Sequence, residues 1–273
     1  MTQPSSTRPT DRRPRPARND TLQEQARTEE EGLVSGRNAV LEAAVAGTRH
    51  IDTLYVQRGS RFLAEQPALE ERLRAEGGKI RLVPRETLDR LAGHSQHRGV
   101  VARMTPFLYT PYEEILAELT DGQLFRVVVA DGVEDPRNLG ALLRTAVGAG
   151  YGAVVLPKDR SCGVTETVLR TSAGMAAHVR VVRTGNCVDA LDRLAGTGTW
   201  LYGLHMTGRD FRGVVPDERP SALVVGGERS GLREVVRKRC DELVGVPLAP
   251  GAESLNLAVA FAVVAFQLAG RKA

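Results

Sequence analysis

The sequence predicts an α/β protein of two units: a small α/β unit over residues 32–104 and a larger one over 124–273, in which a parallel sheet is flanked by helices. Three observations lead there. Apolar strand-type runs alternate with helical stretches along most of the chain, the pattern of strands joined by helical crossovers. The run LFRVVVA at 124–130 is nearly continuous in apolar residues, as a strand covered on both faces must be. Residues 105–123, with Pro106, Pro111 and Gly122, read as a linker holding one short helix. A chain of 273 residues, 42% apolar and 26% charged, is one large or two modest domains.

In order, Ser35 is expected to cap a helix carrying Val40, Leu41 and Ala44, which Gly47 stops. A strand at 51–57, a helix near 61–76, a strand at 79–84, a short helix around Leu88 and Leu91, and a strand at 98–104 complete the small unit. The larger unit follows its first strand with others near 152–156, 178–182, 199–205, 221–225 and 243–247. The final helix spans about 254–269. From Leu255 to Ala269 its only polar residues are Asn256 and Gln267, so it must be covered all round. It is too short to cross a bilayer, so it is either a central core helix or, the favoured reading, a helix shared between core and a subunit interface.

The chain has 37 basic and 33 acidic side chains, a net charge of +4. That excess lies entirely in residues 1–18, where Arg8, Arg12, Arg13, Arg15 and Arg18 face only Asp11. Without an apolar run, and with four prolines in those 18 residues, this stretch is neither a secretory signal nor an amphipathic transit helix. Residues 1–31 are expected to be a disordered basic arm, either a tether for phosphates or a solubilising leader. Cys162, Cys187 and Cys240 form no C-x-x-C pair, and the five histidines form no H-E-x-x-H. This argues against a disulfide scaffold and a metal centre, and fits a reducing, cytoplasmic setting. With 12 aromatic residues, RNA binding through several stacking rings is not expected.

Three clusters follow strands of the larger unit. The first, DGVEDPRNLGALLR at 131–144, passes from a strand end through a Pro loop into a helix, placing Asn138 and Arg144 where open α/β sheets hold ligands. The second, LVVGGERSGL at 223–232, breaks a strand with Gly226, Gly227 and Gly231, which allow close backbone approach. Its G-G-x-x-x-G spacing is neither the dinucleotide fingerprint nor a P-loop, so a nicotinamide-dependent oxidoreductase is excluded. The third, VPLAPGAESLN at 246–256, leads into the final helix, with Ser254 a possible cap and Asn256 requiring hydrogen-bond partners if buried.

Taken together, N-L-G-x-x-x-R-T-A, G-x-E-x-x-G and the final S-L-N resemble the three motifs of the SpoU/TrmH class of SPOUT RNA 2′-O-methyltransferases. The segments LPKDRS, RKRCDELVGVPL and SLNLAVA look most like the RlmB type, which acts on a guanosine ribose of 23S rRNA. The resemblance covers about residues 32–270. It implies an L30-like RNA-binding unit at 32–104, including His97, Arg98 and Gly99, and a catalytic domain tied in a deep trefoil knot, a rare topology. It implies S-adenosylmethionine as cofactor, held around Leu204, Gly226, Gly227, Val246, Leu248 and Leu255. It also implies a homodimer formed through the catalytic domain. Arg98, Arg137 and Arg144 would contact RNA.

The reaction so implied displaces a methyl group from a sulfonium by a ribose 2′-hydroxyl, which needs a proton acceptor or a field stabilising the alkoxide. A guanidinium gives up its proton only above about pH 12, so Arg144 is expected to clamp phosphate and stabilise charge, with Asn138, Glu228, Ser254 and Asn256 orienting ribose and loops. The motifs equally serve an antibiotic-resistance rRNA methylase or a tRNA ribose methylase, although the L30-like unit speaks against the tRNA enzyme of the D-loop. A non-catalytic ribosome-assembly factor is the reading from another class, against which the intact motif residues weigh.

Overall fold

The computed structural model describes residues 32–47, 49–121, 126–216 and 219–270. The expected arm at 1–31 lies outside the described residues. Strands β1 (Leu33–Ser35), β2 (Ile51–Gln57), β3 (Lys79–Val83) and β4 (Val100–Met104) form a sheet in the order β1-β4-β2-β3. β4 is antiparallel to both neighbours, and β2 is parallel to β3. Leu54 and Val56 lie opposite Ala102 and Val100 on one pleat face, and all four are fully buried. Helix α1 (Arg37–Val45) joins this core through Ala39, Val40, Ala43 and Ala44.

Two local expectations change. The single helix expected near 61–76 is two, α2 (Phe62–Glu65) and α3 (Pro67–Ala75). Pro67 excludes Gln66 from helical geometry, and Gln66 sits at φ −135°. Ser35 does not cap α1: it ends β1, and Gly36, at φ 95°, takes the capping position. The Ser35 hydroxyl instead donates to Glu166 and lies 3.1 Å from His94 Nε2. Helix α4 (Arg85–Ala92) completes this unit, with Leu88 fully buried.

The second sheet contains β5 (Arg126–Ala130), β6 (Ala153–Pro157), β7 (Arg180–Thr184), β8 (Trp200–Asp210), β9 (Ser221–Val225) and β10 (Glu242–Gly245). Their order is β10-β8-β9-β5-β6-β7, and every pair is parallel. Around it lie α5 (Tyr112–Thr120), α6 (Pro136–Gly148), α7 (Glu166–Thr171), α8 (Cys187–Gly196), α9 (Glu234–Arg237) and α10 (Leu257–Ala269). The period-2 alternation of side chains divides the core. Val128, Ala130, Leu223 and Val225 pack with α6 and α10, whereas Val127, Val129, Ala222 and Val224 pack with α5 and α8. Helix α5, inside the expected linker, is therefore firmly seated: Tyr112, Ile115 and Leu119 are buried, and the Tyr112 hydroxyl donates to Ala190 O at 2.7 Å.

β8 extends beyond its expected end because its register with β10 breaks. Gly203 pairs with Leu243, but Val244 then pairs with Arg209, so Leu204–Gly208 leave the ladder. A Cβ on Gly208 would lie 2.6 Å from the Val244 backbone, a close approach that only glycine permits. Across the boundary between the two units, Arg170 Nη1 donates to Gln96 Oε1 at 3.0 Å and His178 Nε2 lies 2.8 Å from Glu42 Oε2. Among the described residues, no helix is long and apolar enough to cross a membrane.

Candidate active site

The strand order sets the site. β5 stands between β6 and β9, with β8 and β10 beyond β9, so the loops after β5, β9 and β10 leave the same edge of a parallel sheet. The loop after β5 turns at Gly132, φ 88°, and enters α6 with Asp135 as cap, its carboxylate accepting from Arg137 N at 2.7 Å, and Pro136 in the first turn. Asn138 is thus inside the first turn of α6 and free of capping duty. After β9, Gly231 N donates to Gly227 O at 2.9 Å, closing a tight turn. A Cβ on Gly226 would sit 2.0 Å from Gly231 C, and one on Gly227 would sit 2.6 Å from Gly132 O. The glycines therefore let the second loop fold on itself and lie against the first.

These loops meet through side chains. Asn138 Nδ2 donates to Glu228 Oε1 at 2.8 Å, and Asn256 Nδ2 donates to Asn138 Oδ1 at 3.0 Å, so one residue from each of three motifs, 90 and 118 residues apart, joins a single chain of hydrogen bonds. Asn256 also begins α10: its Oδ1 accepts from Ala258 N at 2.9 Å and Val259 N at 3.3 Å. The final helix starts there and not at Ser254, which is exposed and has no hydrogen-bond partner among the described residues.

Beneath this chain is a second tie that sequence reasoning missed. Arg233 Nε and Nη2 both donate to the buried carboxylate of Asp131 at 2.7 Å. These bonds raise the affinity of Arg233 for its proton and fix the loop after β9 to the end of β5. The available signal was an acid directly after a strand and an arginine two residues past Gly231. Nearby thiols are inert: burial pushes Cys162 up to about 11 and Cys187 up to about 12. Among the described residues no group of three or more metal-ligating side chains gathers.

Of the remaining expected residues, Gly226 is buried, and Leu204, Val246 and Leu248 are half-buried. They line the same carboxyl edge, and Leu255 is 40% exposed just ahead of α10. Leu204 and Val246 also pack on the main core. Arg144 stands apart. It is exposed, makes no ion pair or hydrogen bond among the described residues, and lies six residues beyond Asn138, about 9 Å along α6 and about a third of a turn off its face. Its face of α6 continues to Gly148, where an added Cβ would lie 3.6 Å from Phe266 Cζ of α10. Arg137 is exposed at the start of the same helix, and Arg98 is exposed on the small unit.

A parallel sheet whose carboxyl-edge loops are bound together by Asn138, Glu228 and Asn256 is the architecture of an α/β enzyme with its site at that edge, and this chain belongs to the SpoU rRNA Methylase family, whose model matches residues 126–266. Residues 33–110 match the model of the RNA 2′-O ribose methyltransferase substrate-binding domain. The chain is 38% identical over 249 residues, 90% of its length, to 79% of a tRNA/rRNA methyltransferase of Mycolicibacterium paratuberculosis. It is 36% identical over 242 residues, 86% of its length, to 94% of the 23S rRNA (guanosine-2′-O-)-methyltransferase RlmB of Xylella fastidiosa. The AdoMet-bound rRNA methyltransferase of Sinorhizobium meliloti shares its fold, with a TM-score of 0.72 at 23% identity, covering 92% of this chain and 90% of that one.

Proposed function

We propose that this chain transfers the methyl group of S-adenosylmethionine to a ribose 2′-hydroxyl of RNA, a guanosine of 23S rRNA. The observation that carries the reading is the hydrogen-bonded chain Asn138–Glu228–Asn256, which assembles three motif loops at one sheet edge. The cofactor, when bound, supplies an activated methyl group on a sulfonium. Gly226 and Gly227 leave the main chain bare beside it, and Leu204, Val246, Leu248 and Leu255 offer apolar surface for its adenine at the same edge. Glu228 and Asn256 are held in place by Asn138 and orient the ribose, while Ser254, unengaged in the loop ahead of α10, is free to hydrogen-bond to RNA.

Arg144 supplies a fixed cation for the target phosphate and for the alkoxide that develops as the hydroxyl passes its proton to water. With no partner among the described residues, its whole guanidinium is available to RNA, as are those of the exposed Arg98 and Arg137. The residues of the cofactor edge and the three-motif chain contain no Arg144 contact, so its removal should leave cofactor affinity near wild type. Arg144→Ala is expected to abolish methyl incorporation into an unmodified 23S rRNA transcript while S-adenosylmethionine binding, followed calorimetrically, survives. Near-normal turnover in that variant would refute its role.

A homodimer is part of the same proposal. Val259, Val263 and Phe266 form an exposed stripe on α10, at 50%, 36% and 56%, although this helix is too apolar to face water along one side. The stripe adjoins the Arg144–Gly148 face of α6, bringing the seam beside the catalytic cation. Light scattering that gives the 29.5 kDa monomer mass at micromolar concentration would remove the dimer. The trefoil knot is likewise proposed, on the resemblance of the three motifs. The small unit serves as the L30-like substrate domain, 32–104.

A further inference from the structure

Among the described residues, three other than glycine have positive φ: Arg98 at 51°, Arg160 at 58° and Ala173 at 53°. Side chains with a Cβ resist this region, so such a conformation persists only where neighbours impose it. Ala173 has a local reason. It ends α7 ahead of Gly174, whose N–H returns to Leu169 O at 3.0 Å, a helix-terminating turn. Neither arginine ends a helix: Arg98 stands with Gly99, φ 79°, in the tight turn that Val100 N closes on His97 O at 3.1 Å, and Arg160 stands in the loop after β6.

Each arginine is held through its neighbours while its own side chain points to solvent. Next to Arg98, His97 is 1% exposed; its Nδ1 accepts from Gly99 N at 3.0 Å, which leaves the proton on Nε2 to donate to Asp89 Oδ1 at 3.0 Å. After Arg160, Ser161 Oγ donates to Ala130 O at 3.3 Å and Cys162 N donates to Val133 O at 3.0 Å, clamping this loop to the one that carries the first motif. Arg98 and Arg160 are both exposed, and neither has an ion-pair or hydrogen-bond partner for its guanidinium among the described residues.

The two loops meet at one junction. The Arg160 loop runs into α7, and α7 is where the Arg98 loop docks, with Arg170 donating to Gln96 at 3.0 Å and His94 Nε2 lying 3.4 Å from Glu166 Oε1. Lys158, also exposed and unpartnered among the described residues, lies two positions before Arg160. Asp159 is the only carboxylate between Pro157 and Thr165, so the loop carries a net positive charge. Two strained, unpaired arginines, one in each domain, thus flank the route between the substrate-binding unit and the catalytic edge.

We propose that Arg160, with Lys158, binds an RNA backbone phosphate and carries the substrate strand from Arg98 across the β6–α7 loop to the catalytic edge. This inference rests on the RNA-methylation reading above. The strain has a function here: it presents the guanidinium outward from a loop pinned to the first motif, and a phosphate is the ligand that five unsatisfied donors fit.

The test uses the full-length protein and an unmodified 23S rRNA transcript, with Arg160→Gly, Arg160→Lys and Arg98→Gly. Glycine accepts positive φ without strain, so Arg160→Gly removes the cation but should not lower the thermal midpoint. One lost phosphate contact flattens the plot of log affinity against log salt by about 0.7 and weakens binding about fourfold at roughly 0.15 M salt. A matching rise in KM for RNA, with a smaller change in kcat, is expected. Arg160→Lys should keep the wild-type slope, and Arg98→Gly should show the same flattening.

An unchanged slope and KM in Arg160→Gly would overturn the proposal. So would equal losses in the lysine and glycine variants, because the charge would then not be what acts. If wild-type protein binds this RNA without methylating it, the 23S reading fails while the slopes still decide the role of Arg160.

Discussion

Asn138→Asp exchanges one amide NH2 for an oxygen with almost no change in size, which isolates the hydrogen-bond logic of the site. The bond from Asn256 at 3.0 Å survives, because it ends on an oxygen in either case. The bond to Glu228 at 2.8 Å becomes a contact between two carboxylate oxygens. Loss of a hydrogen bond to a charged acceptor costs about 1.5–3 kcal/mol. Repulsion between like charges about 3 Å apart adds roughly 1.4 kcal/mol even in water. Since Glu228 is exposed, solvent recovers part of this sum, and about 2 kcal/mol is expected, a roughly thirtyfold loss of the closed arrangement.

Transfer of tritiated methyl from S-adenosylmethionine to a 23S rRNA transcript at pH 7.5 should show that loss in kcat/KM. As pH falls towards about 5, a proton shared between the two carboxyl groups restores a donor, and the gap from wild type should narrow. Asn138→Ala, which cannot regain a donor, should show no such recovery. Activity within twofold of wild type at pH 7.5, or a pH-independent deficit in a correctly folded Asn138→Asp protein, would refute the reasoning.

Gly227→Ala places a methyl group 2.6 Å from Gly132 O; the loops must separate by a sizeable part of an ångström, and a misplacement near 1 Å costs about a hundredfold in turnover with the fold retained. Asp131→Ala leaves Arg233 without its two-bond partner and, because Arg233 is partly exposed, should lower stability to urea by about 2–3 kcal/mol. Burial raises Cys162 to about 11 and Cys187 and Cys240 to about 12. The stability linked to these neutral thiols is complete below the ordinary thiol value near 9 and should fade as pH rises through 11 and 12. Native alkylation at pH 8 should accordingly run at least about a hundredfold slower than in urea, and equal rates would contradict the burial.

Sequence pattern alone located β2 and β9 to the residue, because both are short apolar runs bounded by turn formers. It misplaced features whose cause lies far along the chain. Ser35 looks like a cap until His94 and Glu166, 59 and 131 residues away, compete for its hydroxyl. β8 lengthens only because β10 resumes pairing after Gly208. The motif residues Asn138, Glu228 and Asn256 were legible as a set, and the structure adds that they touch one another. Arg144 was legible as a motif residue, but a linear motif does not say that it faces outward, six residues along α6 from Asn138 and off its face. The Asp131–Arg233 pair is not legible in the sequence, because a 102-residue separation carries no periodicity.

Asn256 illustrates how few residue types one position can accept. Its oxygen receives the first N–H groups of α10, and its nitrogen donates to Asn138. Aspartate would keep the first task and lose the second, serine would reach only the helix, and glutamine, one methylene longer, would fit neither distance. The helix origin and the tie between the motif loops are therefore written in the same side chain, so a substitution here disturbs both together. A stabilising redesign of the final helix has no freedom at its cap, because the same side chain holds the loop of the first motif.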